Sequence, residues 1–424
     1  MITEHADPGA LVLLANFVSP LAADLAEETT LRRWSEQAPR KLWLMRPDDV
    51  LITPVPVSDT FRRYTCLRLG IPEASLTVLT VPDTPHLPMA QAVTAHGLLE
   101  PLRTLVRERP EARLLPIALD EAAVRLAADL GIGVAPYEAG GPRPDVVRLV
   151  ADLNTKTGFR TLAGRLGMRL PEGRECTSAD LDRVTAELLT GTKRVVVKPD
   201  RSAGGHGMRF VTRGDPRPPL PAGTGERWVV ERYVEHTRAV SAQGHAAPGR
   251  ARVLYDGEMR MSGGSFAGYL CPPCDLPGGA RAELADWTLA LGRHLAAEGY
   301  RGPYSLDAVC AADGTLYALE CNVRRTATST VHALVTRLAG TDRAAPVWAM
   351  GTMRAEAAMP FDAAVERLIA AGLDVRPGTD RGVILYVDRP TDDGEWRYVA
   401  LAPDHGGVDA LEIRLAAAFG GHPA

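Results

Sequence analysis

Two apolar runs, Ser305-Leu306-Asp307-Ala308-Val309-Cys310 and Leu316-Tyr317-Ala318-Leu319-Glu320-Cys321-Asn322, flank the segment Ala311-Ala312-Asp313-Gly314-Thr315. An Asp-Gly step between two such runs predicts an antiparallel hairpin. Side chains two positions apart in a strand share a face, so Glu320 and Asn322 point the same way, and Asp307 can join them from the facing strand. A carboxylate within LYALECNV is costly to bury without a partner. Three oxygen-bearing side chains on one face suit Mg2+, which takes hard oxygen ligands, keeps several waters and bridges phosphates. The blander alternative is a pair of ordinary hairpin carboxylates. Arg324 and Arg325 follow directly. A guanidinium there suits a transferring phosphoryl group or a forming oxyanion, unless the pair simply faces solvent.

Further upstream the same chemistry recurs. The run Arg194 to Val197 ends in Lys198-Pro199, and Asp200 to Met208 then carries Ser202, Gly204, Gly205, His206 and Gly207 before a second apolar run. Glycines let backbone N–H groups close over a phosphate chain, and a lysine leaving the preceding strand can neutralise it. A plain flexible hairpin would look similar. Asn154 to Arg160 opens an amphipathic helix and places Lys156 near its electropositive N-terminus. In Trp228 to Val234, Glu231 stands at the end of an apolar strand, where a carboxylate can accept from an exocyclic amine and backbone groups can pair with a ring edge.

Composition sets the frame for these motifs. A chain of 424 residues with 46% hydrophobic and 24% charged residues is long enough for two or three domains with their own cores. A formal charge of -4 provides no basic field for a polyanion, which argues against nucleic acid and for a small or peptidic substrate. No run is long and apolar enough for a membrane span, and MITEHADPGA lacks the order of a secretion signal, so a cytoplasmic protein is expected. The six cysteines form no disulfide framework, and Cys271-Pro272-Pro273-Cys274 reads as an inert loop.

Residues 1–150 alternate short apolar runs with amphipathic stretches, predicting a layered α/β domain. Its strands are expected at Leu11 to Ala15, Lys41 to Met45, Leu76 to Val81 and Leu114 to Ala118, and its helices at Ala90 to Glu108 and Glu121 to Leu130. Its first strand lacks a dinucleotide fingerprint, which favours a structural or substrate-shaping role. The chemistry lies in 151–343, with breaks at Gly214 to Gly225, Ala246 to Arg250 and Cys271 to Gly279. The tail, 344–424, is expected to carry helices at Phe361 to Ala371 and Val408 to Phe419 and a strand at Gly382 to Asp388.

In chain order, Lys156, Lys198 with its glycine-rich hairpin, Glu231, Asp307, Glu320-x-Asn322 and Arg324 resemble the ATP-grasp superfamily of carboxylate-amine ligases. The resemblance spans Asn154 to Ala339. It implies an ATP-grasp fold preceded by a Rossmann-like pre-ATP-grasp domain and followed by a small C-terminal α/β extension. It further implies ATP and Mg2+ as cofactors, with phosphates held by Lys156, Lys198 and the hairpin Ser202 to Met208, and adenine held by Glu231 and the backbone near Val234. Asp307, Glu320 and Asn322 would be the metal ligands, and Arg324 would steady an acyl phosphate. The ribose acid that many members carry near Arg238 is missing, and Glu235 is the substitute the sequence offers. Ser305 stands where D-alanine ligases carry an arginine, which argues against that activity. Over the whole chain the sequence is similar to peptide ligases of peptide natural-product biosynthesis. That similarity implies amino acid and peptide substrates, one of them an unusual guanidino-bearing acid.

Overall fold

Leu11–Leu14 (β1) is apolar and buried at every position, as expected of a strand covered on both faces. In the computed structural model, which describes residues 9–21, 28–81, 87–138, 140–202, 204–215, 227–277, 279–340, 345–376, 378–391 and 394–420, β1 is the centre of a parallel sheet. Its companions are Val50–Thr53 (β2), Thr77–Thr80 (β3), Arg113–Pro116 (β4) and Gly133–Val134 (β5), in the order β3-β2-β1-β4-β5. The order reverses between β1 and β4, and a crevice opens beyond the carboxyl ends of strands at such a point. Here Asn16 ties the two strand ends together, donating to the carbonyl of Ala118 at 2.7 Å and accepting from the N–H of Ile117 at 2.9 Å.

Two expectations for this domain need correction. Lys41 to Met45 is no strand: Ala38–Leu44 is a 3-10 helix with Pro39 in its first turn, where the fixed φ of proline favours helical entry. Its burial on all sides gives it the apolar composition of a strand, and the true second strand is β2. The helix expected over Ala90 to Glu108 is two, Met89–Ala95 and Leu99–Arg107, parted around Gly97 at φ 68°.

A second sheet contains Gly173–Thr177 (β6), Arg194–Pro199 (β7), Arg209–Thr212 (β8) and Arg227–Arg232 (β9) in the order β6-β9-β7-β8. One face packs on the helix Leu181–Gly191 through Leu181, Val184 and Leu188 against Val195, Val197 and Val230. The break expected at Gly214 to Gly225 falls almost wholly on 216–226, outside the described residues.

The third sheet has eight strands: Arg238–Ala247 (β10), Arg250–Ser262 (β11), Ser265–Cys271 (β12), Gly302–Cys310 (β13), Leu316–Asn322 (β14), Val347–Arg354 (β15), Gly382–Leu385 (β16) and Glu395–Ala402 (β17). Their order is β14-β13-β10-β11-β12-β15-β17-β16, so three strands of the tail extend the sheet that carries the 305–322 hairpin. One apolar core accordingly joins Trp348, Tyr398 and Leu401 of the tail to Trp43 and Phe61 of the first domain. Polar joints pin the same seam: Trp43 Nε1 donates to the carbonyl of Tyr386 at 3.1 Å, and Lys41 Nζ donates to Oγ1 of Thr330 at 2.7 Å. All six cysteines are free thiols. Among the described residues, no helix is long and apolar enough to cross a membrane.

Candidate active site

The expected hairpin forms as β13 and β14, with Asp307 directly opposite Glu320 and Ser305 opposite Asn322. Like charges at facing positions repel. Desolvation first, and Glu320 second, push the Asp307 carboxyl up to about 7. Ser241 on β10 opposes this by donating to Oδ1 of Asp307 at 2.6 Å, and the Asn322 amide donates to Oδ2 at 3.2 Å. Among the described residues, no three His, Cys, Asp or Glu side chains gather into a metal cluster. The donor set is therefore two carboxylates and one amide oxygen. That set fits a hard cation that fills its remaining positions with waters and phosphate oxygens, and a cation there would relieve the repulsion that raises Asp307.

Lys156 begins the helix Lys156–Arg165, where Thr155 caps the N-terminus by accepting from the N–H of Gly158 at 2.9 Å. Asp200 holds the same turn from outside, its carboxylate accepting from the N–H of Thr157 at 2.9 Å and its carbonyl from the N–H of Lys156 at 3.0 Å. The Lys156 ammonium lies 3.5 Å from Glu320 and donates to Ser202 Oγ at 2.9 Å, so it links the metal face to the glycine-rich turn. Burial, with the charge of Lys198 nearby, depresses the Lys156 pKa against the opposing pull of Glu320. A lysine so placed gains from a phosphate anion.

Lys198, near the end of β7, reaches Glu231 Oε2 at 2.5 Å, and Arg160 binds the other carboxylate oxygen. Glu231 is 2% exposed, so these two cations are its main neighbours, and an adenine amine would have to share the carboxylate with them. Val234 lies past the end of β9, its carbonyl 2.8 Å from His236 Nδ1, while Glu235 stands exposed outside this linked group. The turn with Gly204, Gly205 and Gly207 takes positive φ at all three and docks on the β11–β12 hairpin, where the N–H of Phe266 donates to the carbonyl of Gly204 at 3.3 Å. Gly205 is required there: a Cβ would come within 2.5 Å of the carbonyl of Gly264. His206 packs edge-on against Trp34 of the first domain at 6.1 Å.

Arg324 is buried and donates through Nη1 to Asn154 Oδ1, while its Nε has no hydrogen-bond partner among the described residues. A buried, unfilled guanidinium donor beside two carboxylates suits an anion arriving from solution. The structure thus joins Lys156, Ser202, Asp307, Glu320, Asn322 and Arg324 into one site, with Lys198 and Glu231 alongside. Sequence reasoning assigned no role to Arg160, Asp200, Asn154 and Ser241. The readable hint was polarity inside apolar strands, as at Ser241 and Gln243 of β10. A cleft of about 1,280 Å³ opens beside the site between Ser202, Gly205 to Phe210 and the first domain at Leu21, Asp120 and Glu121. Gly263, Gly264 and Ser265, at the β11–β12 turn, also line it.

Residues 38–132 match the family model of the Pre ATP-grasp domain, and residues 363–415 match that of the PGM1 C-terminal domain. The L-propargylglycine–L-glutamate ligase of Streptantibioticus cattleyicolor is 28% identical over 360 residues, which span 74% of this chain and 71% of that protein. An L-amino acid ligase from Bacillus licheniformis superposes with a TM-score of 0.56 at 14% identity, covering 98% of both chains. The biotin carboxylase domain of the Hydrogenobacter thermophilus 2-oxoglutarate carboxylase, solved with magnesium ADP, gives a TM-score of 0.59 at 15% identity, covering 98% of this chain and 91% of that one.

Proposed function

We propose that this chain, similar to ATP-grasp ligases in its pre-ATP-grasp domain and in its relative from Streptantibioticus cattleyicolor, couples ATP cleavage to amide-bond formation between a carboxylic acid and an amine. One observation carries the reading: Lys156 bridges the glycine-rich turn at Ser202 and the carboxylate of Glu320, so one ammonium joins the turn to the carboxylate face. Lys156, Lys198 and the turn through Ser202, Gly204, Gly205, His206 and Gly207 hold the triphosphate. The strand end at Glu231 to Glu235 takes the nucleoside. Asp307, Glu320 and Asn322 would hold Mg2+, which would supply charge to offset the phosphates.

A free carboxylate is a poor acyl donor, so its oxygen first attacks the γ-phosphorus, and the bond to the bridging oxygen breaks to release ADP. Arg324 donates to the acyl phosphate, the amine adds to its carbonyl, and inorganic phosphate leaves. The protein's part is positioning and charge stabilisation. ADP release that needs both an acid and an amine supports this course. AMP with pyrophosphate would rule it out, and ADP release driven by a hydroxyl substrate alone would make the chain a kinase.

The whole-chain similarity to the peptide ligase of pheganomycin biosynthesis favours a guanidino-bearing, non-proteinogenic amino acid as the acid. The N-terminal amine of a peptide would then be the acceptor, and the reaction is placed in the cytoplasm. The relative from Streptantibioticus cattleyicolor, named for joining two amino acids, supports a second reading in which both substrates are free amino acids. Competing short peptides against single amino acids as acceptors separates the two.

A further inference from the structure

Alternation along β7 sends Val195 and Val197 into the core against the helix Leu181–Gly191, so Arg194, Val196 and Lys198 share the opposite face. Register brings two neighbours onto that face: Val196 pairs with Phe210 of β8 on one side and with Glu231 of β9 on the other. Arg194 thus stands on the face of Lys198 and Glu231, about 13 Å along the strand from Lys198. Its guanidinium carbon lies 4.6 Å from the ring centre of Phe210 and 4.4 Å from that of Tyr233, in the corner between two rings whose planes meet at 80°. Its Nε is cut off from solvent and has no hydrogen-bond partner among the described residues. The electron-rich faces of the two rings stand in for an acceptor, a contact that strengthens as it is desolvated.

The same residue holds the start of the link between the second and third sheets. Pairing of β7 with β9 ends at Val195 and Arg232. One step further, the N–H of Tyr233 donates to the carbonyl of Arg194 at 3.0 Å, so Arg194 grips Tyr233 by backbone and by ring. The Tyr233 ring meets that of His236 at 5.8 Å, and His236 Nδ1 closes on the carbonyl of Val234 at 2.8 Å. The far end is tied to β13, where the N–H of Thr237 donates to the carbonyl of Cys310 at 3.0 Å. Residues 233–237 therefore form a short link folded on itself, fixed at Arg194 on one sheet and at Cys310 on the other.

We propose that Arg194 is a positioning residue for the nucleoside: it sets the link through Tyr233, and the link presents the backbone at Val234 to the base. This rests on the reading that places the nucleoside at Glu231 to Glu235. It adds a residue to which neither the phosphate clasp nor the metal face gives a part. Arg194 acts on the base half of the nucleotide, while the phosphate half depends on Lys156, Lys198 and the glycine-rich turn.

The test compares the affinity of the full chain for Mg-ADP, which carries a base, and for Mg-tripolyphosphate, which carries none, by titration calorimetry. Arg194→Met is expected to weaken Mg-ADP about tenfold, the scale of a desolvated cation–π contact, and to change Mg-tripolyphosphate by less than about twofold. Arg194→Lys, which keeps a cation at the rings, should lose no more than about threefold for Mg-ADP. In turnover the loss should fall on KM for ATP rather than on kcat. A sheet weakened as a whole would lower both affinities together. Equal losses on the two ligands, or an unchanged Mg-ADP affinity in Arg194→Met, overturn the proposal. If Arg194→Met does not fold, Arg194→Gln removes the charge, keeps a planar group and carries the same comparison.

A second arm needs no ligand. Hydrogen exchange of the Tyr233 amide in nucleotide-free protein should accelerate about tenfold in Arg194→Met, and an unchanged rate refutes the grip on the link. Mg-ADP binding without any release of ADP that needs an acid and an amine would sink the ligase reading, while the affinities would still decide the part of Arg194. A wild type that binds no Mg-ADP sinks both.

Discussion

Replacing Glu231 by glutamine should destabilise the second sheet by an amount that its geometry fixes. The carboxylate is 2% exposed and compensates Lys198 at 2.5 Å and Arg160 at once. Glutamine keeps the shape and one acceptor but turns an amide N–H toward a cation. Removing one side of a buried ion pair costs about 3–5 kcal/mol because the partner is left uncompensated. Here the two cations keep side-chain exposures of 8% and 13%, and Arg160 keeps the carbonyl of Pro171 at 3.3 Å. These outlets place the expected loss at the low end, about 3 kcal/mol.

Native-state hydrogen exchange of β7 and β9 amides reads this locally, without assuming that the whole chain unfolds in one step. Exchange should accelerate about 100-fold in the nucleotide-free variant. The acceleration should shrink in saturating ATP, whose phosphates give Lys198 a new anion. A cycle with Arg160→Met should show coupling of at least about 1.5 kcal/mol. An acceleration of less than about tenfold, or additive losses in the cycle, would refute the view that Glu231 neutralises both cations.

Two further outcomes follow from the same site. Glu320→Gln should nearly abolish acid-dependent ADP release with little change in melting temperature, and retained turnover would remove Glu320 from the metal set. Asp307 titrates at about 7 in the folded chain, above its ordinary 3.8, so its stabilising contribution is complete below that ordinary value and is lost as pH rises through about 7. The melting temperature of metal-free protein should accordingly fall across that window, and magnesium ADP should flatten the fall. A metal-free melting temperature that does not change with pH, or a slope that persists in Asp307→Asn, sinks the assignment of this titration to Asp307.

The parts of the molecule that the sequence exposes are those whose cause is local. The Asp-Gly turn sets the register of β13 on β14, and period-two spacing places Glu320 and Asn322 on the face of Asp307. The helix Glu121–Leu130 was legible in full because Asp120 caps it and Gly131 ends it in the left-handed conformation. Lys41 to Met45 misled because a buried 3-10 turn and a buried strand need the same apolar residues. Strands β15 and β17 escaped because β15 forms on the edge of β12, far upstream in sequence, and β17 forms in turn on the edge of β15. Glu231 showed itself as a polar residue in an apolar strand. Its bond to Arg160, a separation of 71 positions, belongs to tertiary structure and leaves no trace in local pattern.

The eight-stranded sheet ends in strands that the tail supplies, and this determines how the protein can be shortened. A chain cut before Val347 would strip β12 of the partner that pairs Tyr269 with Met350 and Cys271 with Trp348, baring a row of unpaired backbone groups flanked by aromatic surface. Such a border is a template for docking other polypeptides edge to edge. A catalytic fragment trimmed to the hairpin and its lysines would therefore be expected to clump, and the last eighty or so residues act as the hem that keeps the enzyme from fraying into its neighbours.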